Sequence, residues 1–154
     1  MLRFAVIVLI VVGLAGLLFT LFVRRAPVPT ISAKKLRELQ QSPGNTKFVV
    51  IDVRSTEELS VSMIPGAITS EQFEEEVDAY RDSTIIPYCT VGVRSERYAR
   101  KLLDAGHTAL NFKGSILGWC EAGYPLVTPD GEPTTRVHTY SDDYEVPAEY
   151  TAVY

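Results

Sequence analysis

Two short apolar runs, Phe48-Val-Val-Ile-Asp-Val53 and Thr84-Ile-Ile-Pro-Tyr88, constrain this chain more than any other feature. Short runs rich in β-branched side chains read as strands buried on both faces. Each run leads into a helix. After the first, Ser55-Thr-Glu-Glu58 matches a capping box, in which the serine and the glutamate satisfy orphan backbone amides reciprocally. After the second come a glycine-containing loop at 89–94 and a helical stretch from Ser95 to Leu103, closed by Ala105-Gly106. Strands that alternate with helices build a parallel sheet, because the chain must cross a face of the sheet before laying the next strand. The expected fold class is α/β, a parallel sheet flanked by helices on both faces.

The other elements fit around these. Ser32 can cap a helix that runs to about Gln41, where Ser42-Pro-Gly-Asn45 breaks it. Ile64-Pro-Gly-Ala-Ile68 reads as a turn into a short strand, and Ser70 as the cap of an acidic amphipathic helix, Glu71 to Tyr80, with Phe73 and Val77 facing inward. His107 to Phe112 is a further strand and Gly114 to Ala122 a short helix, closed by Gly123-Tyr-Pro125. Residues 128–154 show no periodicity and are expected to run over the surface. Their Tyr140, Tyr144, Tyr150 and Tyr154 suit either a docking surface or a clamp across the domain itself.

Ahead of this unit, Phe4 to Val23 is an unbroken apolar run with Thr20 as its only polar side chain. Twenty such residues at about 1.5 Å each span about 30 Å, the thickness of a bilayer core. A secretory signal would have a shorter apolar part and end in small residues, whereas Arg24-Arg25 closes this one. One transmembrane helix before the α/β unit is therefore expected, contacting the lipid bilayer through residues 4–23. Arg3 alone precedes the run, while Arg24, Arg25, Lys34, Lys35 and Arg37 follow it. That bias makes a single-pass membrane protein with its soluble domain on the cytoplasmic side. The chain then divides into an anchor (1–25), a stiff proline-containing linker (26–30), the α/β domain (31–127) and an extension (128–154). Beyond residue 25 the chain holds 12 basic against 19 acidic residues, which argues against nucleic acid as a partner. Two cysteines cannot make a disulfide framework and suit a reducing compartment.

The chemistry lies in Tyr88-Cys89-Thr90-Val91-Gly92-Val93-Arg94-Ser95. The loop follows a buried strand and opens a helix, the place where ligands sit in open α/β sheets. Successive loop amides, the positive end of the helix and the Arg94 charge would all favour thiolate over thiol at Cys89. Gly92 would let the loop curl so that its amides converge on the sulfur. An inert strand-end cysteine is the alternative.

The loop Cys89-x-x-Gly92-x-Arg94-Ser95 resembles the active loop of single-domain rhodanese-like sulfurtransferases. Three more motifs agree in order: Ile51-Asp52-Val53-Arg54 with Glu57-Glu58, Ile64-Pro65-Gly66-Ala67, and Gly114 with Trp119, Gly123 and Pro125. The resemblance covers about residues 31–127. It departs at Ser62-Met63, where the family often has Gly-His, and at Gly114-Ser115, where it commonly has Gly-Gly. Both departures are expected to affect the site entrance and packing without touching the nucleophile.

The resemblance implies a two-step sulfur transfer through a Cys89 persulfide, from thiosulfate, a polysulfide or a persulfide donor to a thiol or cyanide. The implied anion-binding loop is Thr90, Val91, Gly92, Val93, Arg94 and Ser95, supported by Asp52, Arg54 and Trp119. No metal or cofactor is implied, and the two histidines and two cysteines lack metal-ligand spacing. Partners would be a small sulfur donor or a persulfide-carrying protein, and a thiol acceptor. Uncharged Thr90, Val91 and Val93 favour persulfide or polysulfide over thiosulfate as donor.

Two other functions compete. A phosphatase or arsenate reductase would need five residues between cysteine and arginine, and this loop has four. A catalytically silent binding module at the membrane would not need Cys89, Gly92 and Arg94. Of the remaining candidates, Asp52 suits either orienting Arg54 or capping, and Trp119 suits core packing. Cys120 reads as a helix cysteine without redox role, the alternative being a thiol that resolves Cys89. His107 and His138 read as surface residues.

Overall fold

A computed structural model describes residues 26–154. The expected membrane helix and its orientation lie outside the described residues, and among those described no helix is long and apolar enough to cross a membrane.

The centre is a four-stranded parallel sheet: β2 (Phe48–Asp52), β3 (Ile68–Thr69), β4 (Thr84–Tyr88) and β5 (Thr108–Ala109), in the spatial order β3-β2-β4-β5. Side chains alternate across a strand, so β2 and β4 feed two cores. Val50, Ile86 and Tyr88 enter one core with Leu36, Phe112, Ile116 and Trp119. Val49, Ile51 and Ile85 enter the other with Phe73, Ala99 and Leu102. Helices α1 (Ala33–Gln41) and α5 (Ser115–Glu121) therefore cover one face, and α3 (Ser70–Glu75) and α4 (Val93–Asp104) the other. The short α2 (Thr56–Val61) starts at the expected capping box, with both reciprocal hydrogen bonds formed. Ser32 caps α1 by accepting the Lys35 amide.

Three expectations change. The segment 26–30 is not a free linker: Val28 is buried in the second core, and β1 (Thr30–Ile31) pairs with β6 (Asn111–Phe112). The cap of α3 is Thr69 rather than Ser70, because Thr69 and Gln72 form a capping box. That helix stops at Glu75 and a 3₁₀ turn, Val77–Tyr80, follows; the run Glu74-Glu75-Glu76 has no basic partner in the last turn to support continuation. His107–Phe112 is two strands because its partner changes: Leu110 N–H donates to the Ile85 carbonyl, and Asn111 N–H to that of Pro29.

The extension acts as a clamp, one of its two expected roles. β7 (Leu126–Val127) pairs antiparallel with β8 (Pro133–Thr134), and β9 (Arg136–His138) pairs parallel with β10 (Thr151–Val153). Val137 is fully buried in the first core. The Tyr150 hydroxyl donates to the Tyr124 carbonyl at 2.7 Å. Strands of two or three residues cannot display a period, so the sequence pattern misses them.

Candidate functional site

Cys89 follows β4 directly, at the carboxyl end of the sheet, where the chain turns into α4. Gly92 makes the turn possible. Its φ is +95°, a region that favours glycine, and an added Cβ would overlap the Lys113 carbonyl oxygen. From this position Gly92 N–H donates to Cys89 Sγ at 3.1 Å. The loop carbonyls are occupied as well: those of Cys89 and Thr90 accept Ile116 and Leu117 N–H of α5, at 3.0 and 3.3 Å.

The sulfur is nearly closed off, with Cys89 only 1% exposed. Burial pushes its thiol up. The backbone and hydroxyl of Ser95, the Gly92 amide and the Ser115 hydroxyl outweigh burial and hold it below its ordinary value. The site thus shifts Cys89 toward the thiolate, and the charge of Arg94 is not the main cause.

Arg94 has a partner beyond the loop that the sequence did not announce. Its guanidinium forks onto Glu58 of α2, with Nη1–Oε2 and Nη2–Oε1 both 2.7 Å, and Nη2 also reaches Thr90 Oγ1 at 2.9 Å. The Thr90 hydroxyl donates to the same carboxylate. Burial pushes the Glu58 carboxyl up, but Arg94, Thr90 and the Ser55 amide bring it down to about 2. Arg94 thus ties the loop to α2, and its positive charge is shared between Glu58 and the Cys89 sulfur. Thr90 and Ser95 are buried, whereas Val91 and Val93 face solvent.

The three supporting residues sit behind the loop. Asp52 and Arg54 form a fully buried pair, with Nη2–Oδ2 at 2.7 Å. Arg54 Nη2 also donates to the Ser62 carbonyl at 2.5 Å, and the guanidinium lies 5.7 Å from the Tyr88 ring centroid. The Tyr88 hydroxyl accepts Ile64 N–H at 3.0 Å. This cluster fixes the extended Ser62–Ile64 segment against the strand that leads into Cys89. Asp52 therefore orients Arg54, one of its two expected roles. Trp119 is core: it is fully buried, and its Nε1 donates to the Pro125 carbonyl at 2.8 Å. Cys120 is a free, fully buried thiol in the same core, where burial pushes it up to about 12.

The sequence reading misses three contributors. Ser115, set aside as a packing change, reaches the nucleophile: Cys89 N–H donates to its Oγ at 3.0 Å, and that Oγ lies 3.8 Å from Sγ. Tyr140, in the extension, lies over Arg94 with its ring centroid 5.8 Å from Cζ. His138 Nδ1 accepts the Tyr140 amide at 3.0 Å, and both histidines are half-buried rather than fully on the surface. Finally, Asp143, Tyr144 and Glu145 form one wall of a cleft of about 540 Å³ beside Val91, Lys113 and Glu121. Ser115 departs from the family's usual glycine, so that departure was its only signal. Tyr140 and Tyr144 stood out only as part of a docking surface or clamp, and nothing in the sequence tied them to the Cys89 loop.

The sequence profile of the rhodanese-like domain matches residues 32–122. A sulfurtransferase of Allochromatium vinosum is 30% identical over 98 residues, covering 60% of this chain and 92% of that protein. A tRNA uridine(34) hydroxylase of Xanthomonas axonopodis pv. citri is 31% identical over 109 residues, which span 44% of that protein. Among solved structures, a thiosulfate sulfurtransferase from Pseudomonas aeruginosa superposes with a TM-score of 0.58 at 23% identity, over 68% of this chain and 21% of that one, a likeness of fold. With the profile spanning more than half of its length, this chain belongs to the rhodanese-like domain family.

Proposed function

We propose that this chain is a sulfurtransferase that carries a sulfane sulfur on Cys89, tethered to a bilayer by residues 4–23 with its domain on the cytoplasmic side. The observation that carries the catalytic reading is the convergence of donors from Gly92, Ser95 and Ser115 on one buried sulfur. A persulfide is a longer anion on the same cysteine, and fixed amide and hydroxyl dipoles stabilise it without reorganising.

In the first step the Cys89 thiolate attacks the outer sulfur of a donor R–S–SH. A Cys89 S–S bond forms, the donor's S–S bond breaks, and R–S⁻ leaves and takes the proton. In the second step an acceptor thiolate or cyanide attacks the outer sulfur of the persulfide. The Cys89 S–S bond then breaks and the thiolate is restored.

A persulfide or polysulfide, free or carried on a protein, fits the mouth better than thiosulfate does. Thiosulfate is a dianion, and the one arginine of the loop is paired with Glu58. The adjoining cleft sets Glu121, Asp143 and Glu145 against Lys113. Val91, Val93, Tyr140 and Tyr144 add exposed apolar surface of the kind that marks protein contacts. A phosphatase would need its arginine free for the oxyanion, and the Glu58 pairing opposes that reading as well.

Thiocyanate formation from cyanide, with thiosulfate and polysulfide compared as donors at equal concentration, tests both parts. Polysulfide is expected to load Cys89 faster, because it carries no sulfonate oxygens that would need an unpaired arginine to hold them. Thiosulfate as much the better donor overturns the donor assignment. No thiocyanate with either donor overturns the transferase and leaves a binding module.

A further inference from the structure

Ser115 stands where backbone geometry favours glycine. Its φ is +53°, and Ser115 and Tyr140 are the only non-glycine residues with positive φ among those described. Both flank the Cys89 loop. Non-glycine residues persist in this region only where the surroundings enforce it, and such sites cluster where strain serves function.

The hydroxyl is fully used. It accepts the Cys89 amide at 3.0 Å, lies 3.0 Å from the Phe112 carbonyl, 3.5 Å from Ser95 Oγ and 3.8 Å from Cys89 Sγ. A hydroxyl has one proton to give. At these distances the Phe112 carbonyl takes it while the sulfur is a neutral thiol. Once the sulfur is anionic it becomes the stronger acceptor, since a hydrogen bond to a charged group is worth about twice a neutral one. Of the charged groups around the loop, Arg94 on α4 also bears on the sulfur while forked onto Glu58 of α2, and Lys113 is exposed; Ser115 adds to them a hydroxyl that can redirect its proton.

We propose that Ser115 is a positioning residue, whose hydroxyl holds the Cys89 backbone in place and turns its single proton from the Phe112 carbonyl to the sulfur when that sulfur is negatively charged. The proposal rests on the reading of Cys89 as the reactive thiol. It adds a donor that a glycine at this position cannot supply.

Glycine is also the natural test, because Ser115→Gly removes the hydroxyl while relieving the backbone. The readout is the pH midpoint of Cys89 alkylation in the full chain, alongside thermal stability. In Ser115→Gly the midpoint should rise by about one pH unit, with about tenfold slower alkylation at pH 7, while stability holds or increases. Ser115→Ala keeps the strain and should raise the midpoint equally. A midpoint unmoved in both variants overturns the proposal. Alkylation needs no sulfur transfer, so this result is independent of whether a persulfide forms.

Discussion

Cys89 and Cys120 are almost equally buried, at 1% and 0% exposure, yet their thiols are pushed in opposite directions. Cys120 lies within α5 among Leu36, Phe112, Ile116 and Trp119, and burial pushes it up to about 12. Burial acts on Cys89 in the same sense and is overcome by amides and hydroxyls. The difference is positional. Within a helix the backbone amides are spent on the helix, whereas between a strand and the first turn of the next helix they remain free. Burial without donors makes a thiol inert, and burial with donors shifts a protected thiol toward thiolate.

The largest expected effect is kinetic. Cys120 is pushed to about 12 and Cys89 lies below the ordinary 9.0, so their thiolate populations at pH 7 differ at least about a thousandfold. Residue-resolved alkylation of the native chain should show Cys89 modified and Cys120 protected, with the contrast lost in denaturant. Comparable native rates would break the comparison.

Gly92→Ala should come next. The left-handed φ and the overlap with the Lys113 carbonyl oxygen together should cost about 2 kcal/mol or more in urea denaturation, and they displace the amide that donates to Cys89. Cys89 alkylation should then slow toward the Cys120 rate. Unchanged stability would show that the loop curl does not depend on glycine.

Glu58→Gln should cost about 2 kcal/mol, because it leaves Arg94 without its partner. The pH dependence has a definite sign. The folded carboxyl, at about 2, lies below its ordinary 4.5, so the stabilisation is full above about 4.5 and is lost as pH falls toward 2. Acid titration of the variant should lack that component. An identical acid profile would dissociate the ion pair from loop stability. The smallest effect is that of Cys120→Ala, about 1 kcal/mol of lost packing with sulfur loading unchanged.

Much of this was legible in the sequence. The two β-branched runs placed β2 and β4, the capping box at Ser55 placed α2, and Gly92 marked the turn, because each is a local signal with a local cause. What was hidden is what the tertiary fold brings together. Nothing in the spacing of Glu58 and Arg94 announces a fork across 36 positions. The role of Ser115 depends on a loop crossing 26 residues upstream. The extension escaped because its strands are held by the core under them rather than by their own pattern, as the burial of Val137 shows.

The most direct test of the central claim is the intact mass of the full chain after brief exposure to polysulfide and removal of the excess. The account predicts a gain of about 32 Da per sulfur. It should map to Cys89, be removed by cyanide, be absent in Cys89→Ser and persist in Cys120→Ala. An adduct that survives in Cys89→Ser, or that maps to Cys120, would contradict it.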